Sequence, residues 1–148
     1  MRKIPVLALA MCALLAFLQA AYAQPALTNS DVIKLAKSGL SEEFILNLID
    51  QQGSRLSTDV SGLVEMKQGG VNERILTAAV KKAPSPEKLN SDSVLRLVKS
   101  GFSEGFILEL MNRQPGSFSV DASRIVELKN AGVGERILSL MVVQGGGR

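Results

Sequence analysis

The fold of this chain is decided by residues 32–49, which read VIKLAKSGLSEEFILNLI and recur at residues 94–111 as VLRLVKSGFSEGFILELM. The two segments align without gaps and are identical at eleven of their eighteen positions. A second pair of segments, residues 63–80 and 125–142, has the same offset along the chain and is identical at ten of eighteen positions. Such self-similarity is typical of proteins that are built from stacked structural repeats.

A shorter period divides each of these two long repeats in half. Glycine recurs at this shorter interval, and each of these glycines is followed by an apolar residue and, at the third position, by a glutamate. The glycines are Gly39, Gly70, Gly101 and Gly132, and the glutamates are Glu42, Glu73, Glu104 and Glu135. Neighbouring short units otherwise agree only in residue class, so the shorter period indicates a common shape.

The apolar residues around each glycine are spaced as on one face of an α-helix, and no stretch alternates as a strand would. We therefore predict an all-α fold in which each unit is a hairpin of two helices. The corner glycine can adopt the left-handed conformation that ends a helix. Ser41, Asn72 and Ser103 can cap the helix that follows, whereas Gly134 replaces the polar cap in the fourth unit. Phe44 and Phe106 lie within the apolar stripes and are expected in the core.

The predicted architecture is a tandem repeat of four hairpins, arranged as two four-helix modules at residues 24–82 and 89–144. Residues 83–88 contain two prolines and are predicted to link the modules, and residues 145–148 are predicted to form a disordered tail. A hairpin of two short helices cannot bury its apolar side alone, so neighbouring hairpins must stack. The sequence leaves open whether the modules are separate or form one continuous array.

Residues 1–23 have the features of a cleaved signal peptide. Arg2 and Lys3 precede the apolar run VLALAMCALLAFL at residues 6–18, and residues 21–23 (AYA) provide a cleavage site after Ala23. This apolar run is too short for a membrane-spanning helix, which disfavours the alternative of a retained anchor. We expect a periplasmic or secreted protein whose mature chain has no membrane span.

Removal of the signal peptide leaves few reactive side chains. Cys12 is the only cysteine and lies in the signal peptide, so the mature chain can form no disulfide. Two of the 17 basic residues are removed with it, which leaves 15 against 14 acidic residues and argues against nucleic-acid binding. The chain has no histidine, which excludes the usual nucleophile–base pairs and most metal sites. We expect no enzyme activity, cofactor or metal.

Residues 27–33 (LTNSDVI), 37–42 (KSGLSE) and 67–71 (KQGGV) resemble a helical-hairpin repeat found in uncharacterised exported bacterial proteins. The pattern of that family runs approximately L-T-N-x-D-V-I, then K-x-G-L-S-[DE]-x-I-I, then L-K-x-A-G-V. The resemblance covers nearly all of the mature chain in two copies. It implies an exported helical fold and carries no implied activity.

Several side chains are candidates for binding. Arg74 and Arg136 occupy equivalent positions and are either inter-helix ion-pair partners or two copies of a contact point on one face. Lys37 and Lys99 precede helix amino termini that could bind an anion. Phe118, in the loop predicted at residues 115–120 of the second module, is either a core plug or an exposed anchor.

We predict from these features a non-catalytic exported protein that binds another envelope protein, or itself, through the surface of its stacked hairpins. One alternative is a carrier that holds a lipid or another small apolar ligand between helix pairs, which is compatible with a chain that is 46% hydrophobic. A second alternative is an enzyme that uses carboxylates alone, for which the equivalent residues Glu65 and Glu127 are the candidates.

Overall fold

The computed structural model describes residues 25–146, and this part of the chain contains eight α-helices, one short 3-10 turn and no β-strand. The predicted all-α class is therefore confirmed. The predicted signal peptide at residues 1–23 lies outside the described residues. The helices are α1 (Asn29–Lys37), α2 (Glu42–Gln52), α3 (Val60–Gln68), α4 (Glu73–Lys82), α5 (Ser91–Lys99), α6 (Glu104–Arg113), α7 (Ala122–Asn130) and α8 (Glu135–Gly145).

Each odd-numbered helix is joined to the next helix by a tight turn that contains one of the four periodic glycines. The φ angles of these glycines are 78°, 92°, 83° and 96° in chain order, so all four adopt the predicted left-handed conformation. At three of the turns the glycine and the residue after it donate backbone hydrogen bonds back to the last turn of the helix. One example is the turn at Gly70, whose amide donates to the Lys67 carbonyl while the Val71 amide donates to that of Met66.

The predicted caps are confirmed at the amino termini of the even-numbered helices. The side chains of Ser41, Asn72 and Ser103 accept hydrogen bonds from the backbone amides at the third position after each cap, at 3.3, 3.0 and 3.2 Å. At the start of α8, Gly134 provides no such side-chain bond. At the other three starts, the capped amide lets the helix begin immediately after the turn.

The eight helices form four consecutive pairs, which we number 1 to 4 from the amino terminus. Within each pair the two helices contact each other, and α2, α4, α6 and α8 contact one another in sequence. Contacts of α3 with α5 and of α4 with α6 join the chain segments on either side of residues 83–88. The two halves of the chain are thus packed together, with pair 3 directly against pair 2.

The segment that precedes each half is tied to the loop between its two helix pairs. The Leu27 amide donates to the Gln52 carbonyl at 3.0 Å, and the Ser117 amide donates to the carbonyl of Leu89, the equivalent of Leu27, at 2.7 Å. In the first half, the Asn29 side chain also exchanges two hydrogen bonds of 3.0 Å with the backbone of Ser57. These contacts fix the entry of the chain into α1 and α5.

Two sequence expectations need revision, and one open alternative is decided. Phe106 is buried as expected, but Phe44 is 48% exposed, because the described part of the chain has no helix pair before pair 1 to cover it. The helix α8 includes Gly145, the first residue of the predicted disordered tail, and residues 147–148 lie outside the described residues. Phe118 is buried, so the exposed-anchor alternative is wrong, and its ring lies so close to Gly116 that any side chain there would clash.

The left-handed glycines yield a direct test of the turns. We expect Gly101→Ala to lower the free energy of unfolding by about 1 kcal/mol, because a left-handed conformation costs other residues about 1–2 kcal/mol. Gly105→Ala, in the first turn of α6, is the matched control, since both sites have open space around an added methyl group. That control should raise stability by about 0.5 kcal/mol. Urea unfolding of both variants measures the difference, and equal changes would contradict the left-handed turn at Gly101.

Candidate interaction faces at the two ends of the helical array

The large hydrophobic residues that are exposed within residues 25–146 lie on the first and the last helix pair. Leu40 and Phe44 are on pair 1, whereas Val126, Val142 and Val143 are on pair 4. The other large apolar side chains of the described chain are at least partly buried. Exposed apolar surface is therefore concentrated on the two terminal pairs.

Every residue of the first half has an equivalent in the second half, at the offset that relates Val32 to Val94, and this equivalence explains the exposure of pair 1. The equivalents of Leu40 and Phe44 are Phe102 and Phe106, which are each only 6% exposed. Their rings stack on each other at a centroid distance of 4.9 Å. Pair 3 is covered by pair 2, whereas within residues 25–146 no helix pair precedes pair 1, so the same positions are open there.

Pair 4 shows the complementary situation. Val126 and Val142 are equivalent to Val64 and Val80 of pair 2, which are both buried, and Val80 lines a small space together with Phe106 of pair 3. The exposed fraction rises from 5% at Val80 to 44% at Val142. The apolar positions that are buried on pair 2 are therefore exposed on pair 4.

The chain thus has two open surfaces, which we call the leading face and the trailing face. The leading face consists of Lys34, Leu40, Ser41 and Phe44 on pair 1. The trailing face consists of Ser123, Val126, Lys129, Glu135 and Val142 on pair 4. The equivalents of both faces, in the other half of the chain, lie on pairs 2 and 3, and the apolar ones among them are buried.

Glu73 is the polar centre of that internal interface. Its carboxylate accepts a hydrogen bond of 2.7 Å from the Ser103 amide and a second one from the Ser103 hydroxyl. Lys67 donates to the same carboxylate at 3.1 Å, and its ammonium group lies 5.4 Å from the centre of the Phe102 ring. Nearby, the Arg96 guanidinium donates to the Ser61 hydroxyl at 3.1 Å. Apolar and charged contacts thus act together between pairs 2 and 3.

These contacts also change the acidity of Glu73. Burial alone raises the pKa of the carboxyl group, but the hydrogen bonds from the Ser103 hydroxyl and amide, together with the Lys67 ammonium group, outweigh burial. The pKa of Glu73 is therefore lowered from its usual value, and the ionised form is the one that joins pair 2 to pair 3.

The candidate arginines are ion-pair partners between consecutive helix pairs. Arg74 lies 2.9 Å from Glu42, and Arg136 lies 3.6 Å from Glu104, so each pairs with the corner glutamate of the preceding helix pair. Both guanidinium groups are otherwise exposed. Arg136 also borders an open groove with Leu108 and Leu140. The structure therefore places both arginines beside the contacts that join pairs, where exposed ion pairs contribute little stability.

The other candidate residues are not assembled into a site. Lys37 and Lys99 are exposed, and no described carboxylate lies within ion-pair distance of either. Glu65 is exposed on α3, and Glu127 is exposed on α7, where it pairs with Arg124 at 2.7 Å. Phe118 lies in the core.

No metal-binding group of three or more histidine, cysteine or carboxylate side chains is present among residues 25–146. In the same part of the chain, no helix combines the length and the apolar character that crossing a membrane requires. Between pairs 2 and 3, the space lined by Val80, Phe106 and Leu110 measures about 10 Å³. That is room for about one water molecule.

Sequence reasoning did not identify the two end faces, although the repeat contained the signal for them. A stack of repeated units always has a first and a last member, so apolar positions that are buried in the middle become open at its ends. The alignment of Phe44 with Phe106 was available from the sequence. The bond between Glu73 and Ser103 was not, because nothing in the spacing shows which helix pairs touch.

The end faces and their internal equivalents all lie on the helices and turns of an all-helical fold. In comparisons with known proteins, no family model matches the chain, and no curated protein or solved structure is significantly similar to it.

The lowered pKa of Glu73 predicts a pH-dependent contribution to stability. Since the folded-state pKa lies below the unfolded-state value, the contribution is complete above the unfolded-state pKa and is lost as the pH falls through the folded-state pKa. We expect Glu73→Gln to lower the free energy of unfolding by about 1 kcal/mol near neutral pH. The difference from the unmodified protein should shrink below about pH 4, where the carboxyl groups protonate.

Glu135→Gln is the matched control for this measurement. Glu135 also pairs with a lysine, but its side chain is 82% exposed, compared with 25% for Glu73, because no helix pair packs on it from beyond pair 4 in the residues that the structure describes. In dilute solution this control should change stability only slightly. A stability difference for Glu73→Gln that stays constant between acidic and neutral pH would contradict the ionised bridge.

Proposed function

We propose that this chain is a non-catalytic exported helical-repeat protein that binds another protein, or itself, through the end faces of its array. The observation that carries the proposal is the exposure of Leu40 and Phe44 on pair 1 and of Val126 and Val142 on pair 4. Repeat arrays that stay free in solution need terminal units with a polar outer face. Apolar end faces therefore favour a bound partner.

The proposed architecture is a tandem array of four hairpins that continues across residues 83–88. The internal sequence repeat supports it, as do the four left-handed glycines and the packing of pair 3 on pair 2. The resemblance to exported helical-hairpin repeat proteins points the same way. Two modules in contact would behave as a single rigid body with one leading and one trailing face.

Export is the second part of the proposal. The basic residues Arg2 and Lys3, the apolar run at residues 6–18 and the small residues at positions 21 and 23 support removal of a signal peptide after Ala23. The mature chain would then be periplasmic or secreted, and its partner would be an envelope protein or a second copy. The absence of cysteine from the mature chain agrees with a fold that is held together by burial alone.

The packing gives less support to a carrier of small apolar ligands. Ligand sites are usually concave, mostly apolar and span about 300–1,000 Å³, whereas the space between pairs 2 and 3 measures only about 10 Å³. Two larger spaces, of about 630 Å³ beside Arg136 and about 580 Å³ around residues 54–59 and 82–87, are open grooves whose lining includes charged side chains. A carboxylate-only enzyme has equally little support, because Glu65 and Glu127 lie exposed on different helix pairs.

Site-specific photo-crosslinking in cells tests the proposal. A photo-reactive residue placed at Phe44 or at Val126 should give a protein adduct, because both positions are exposed on the end faces. The same residue at Asn112, which is exposed on the internal helix α6, is the control and should give none. If no protein adduct formed at either end while a small molecule of fixed mass stayed bound, the carrier alternative would replace this proposal.

A further inference from the structure

We propose that the partner is a second copy of this chain, bound head to tail, with the trailing face of one copy on the leading face of the next. This inference rests on the proposed function and names its partner. The two end faces carry, with few changes, the two halves of an interface that the chain already forms inside itself. That interface is the packing of pair 3 on pair 2.

The apolar side chains of the two faces are complementary. Inside the chain, Val64 and Val80 of pair 2 and the two phenylalanines of pair 3 are all buried. Val80 lines one small space with Phe106, and Lys67 of pair 2 lies over the Phe102 ring. Val126 and Val142 take the valine positions on the trailing face, and Leu40 and Phe44 take the phenylalanine positions on the leading face. All four are exposed in the single chain, so their burial between two copies is favourable.

The polar contacts are preserved as well. Glu135 occupies the position of Glu73 and is paired with Lys129 at 3.0 Å, as Glu73 is with Lys67 at 3.1 Å. The Glu73 carboxylate uses its remaining oxygen capacity to accept from the Ser103 amide and hydroxyl. On the leading face, the equivalent of Ser103 is Ser41, which begins α2 in the same capped conformation.

A second polar contact has the same correspondence. Inside the chain, Arg96 of pair 3 donates to the Ser61 hydroxyl of pair 2. The equivalent residues are Lys34 on the leading face and Ser123 on the trailing face, both exposed. A basic donor and a hydroxyl acceptor are thus present on the correct faces of the two copies.

Three substitutions make the contact between copies weaker than the internal one. Leu40 replaces Phe102, so the stacked rings and the contact of the lysine with an aromatic ring are lost. The internal ion pair of Lys81 and Glu109, at 4.0 Å, has the uncharged equivalents Val143 and Asn47. The internal interface is also formed within one chain, whereas the external one depends on protein concentration.

The symmetry of the contact follows from its head-to-tail arrangement. Two different faces meet, so each added copy leaves one leading and one trailing face open. Such a heterologous contact produces open-ended oligomers unless the rotation between copies closes a ring. A two-fold dimer through the leading faces would leave both trailing faces open, and one through the trailing faces would leave both leading faces open.

Two face-blocking variants test the proposal on the full chain. Phe44→Glu places a charge on the leading face, and Val142→Glu places one on the trailing face. Both sites are exposed, so each variant should keep its helical circular-dichroism spectrum. Asn112→Glu adds the same charge on the internal helix α6 and is the matched control.

Analytical ultracentrifugation gives the readout. The unmodified protein and Asn112→Glu should form a concentration-dependent series of oligomers, whereas each face-blocked variant alone should be monomeric. An equimolar mixture of the two blocked variants should form a 1:1 dimer and grow no further, because each partner contributes its one intact face. Glu135→Gln should weaken association roughly tenfold, the scale expected for loss of a hydrogen bond to a charged group.

Two results would overturn the head-to-tail contact. One is an unmodified protein that stays monomeric up to about 1 mM, the weak end of measurable affinities. The other is association of the unmodified protein together with self-association of one blocked variant alone, as a two-fold dimer through the intact face of that variant would give. If either occurred while Phe44 still crosslinked to a different protein in cells, the proposed function would stand with another partner.

Discussion

Burial of one apolar side per helix pair is the constraint on which the whole structure depends. Two short helices, joined at a left-handed glycine, leave an apolar side that their own packing cannot cover. In the interior of the array, that side is covered by the neighbouring pair, as Phe106 is by pair 2. No disulfide or metal is available in the described residues to replace this packing. Packing between neighbouring pairs stabilises pairs 2 and 3, whereas pairs 1 and 4 each keep exposed apolar side chains.

The polar residues set the register of the stack, and the apolar ones supply most of its stability. Glu73 reaches across to the cap of the next even-numbered helix and so fixes how pair 3 sits on pair 2. Arg74 and Arg136 repeat a similar link between a pair and the corner glutamate before it. Because such links recur at equivalent positions, the terminal pairs present residues that could bind one more helix pair at either end. A second copy of the chain would provide such a pair.

Much of the fold could be predicted because it is determined by local sequence patterns. The regular glycine interval, the capping residues and the helical spacing of apolar residues each specify backbone geometry within a few positions, and the structure agrees at Gly70, Ser103 and the other turns. The site could not be predicted to the same degree. Phe44 and Phe106 have nearly the same local sequence and opposite exposure, because exposure depends on what packs against a pair. Phe118 similarly has a loop sequence but a core position, set by its approach to Gly116.

Native-state amide hydrogen exchange of the dilute, monomeric protein tests the central claim most directly, because it reports the stability of each helix separately. If neighbouring pairs provide most of the stability, protection should be highest in α3 to α6, which are covered on both sides. It should fall by roughly one to two orders of magnitude in α1 and α2 and in α7 and α8, since about 1.4 kcal/mol of lost packing corresponds to a factor of ten. Equal protection along all eight helices, or the highest protection in the terminal pairs, would show that each pair is stable by itself and would contradict the claim.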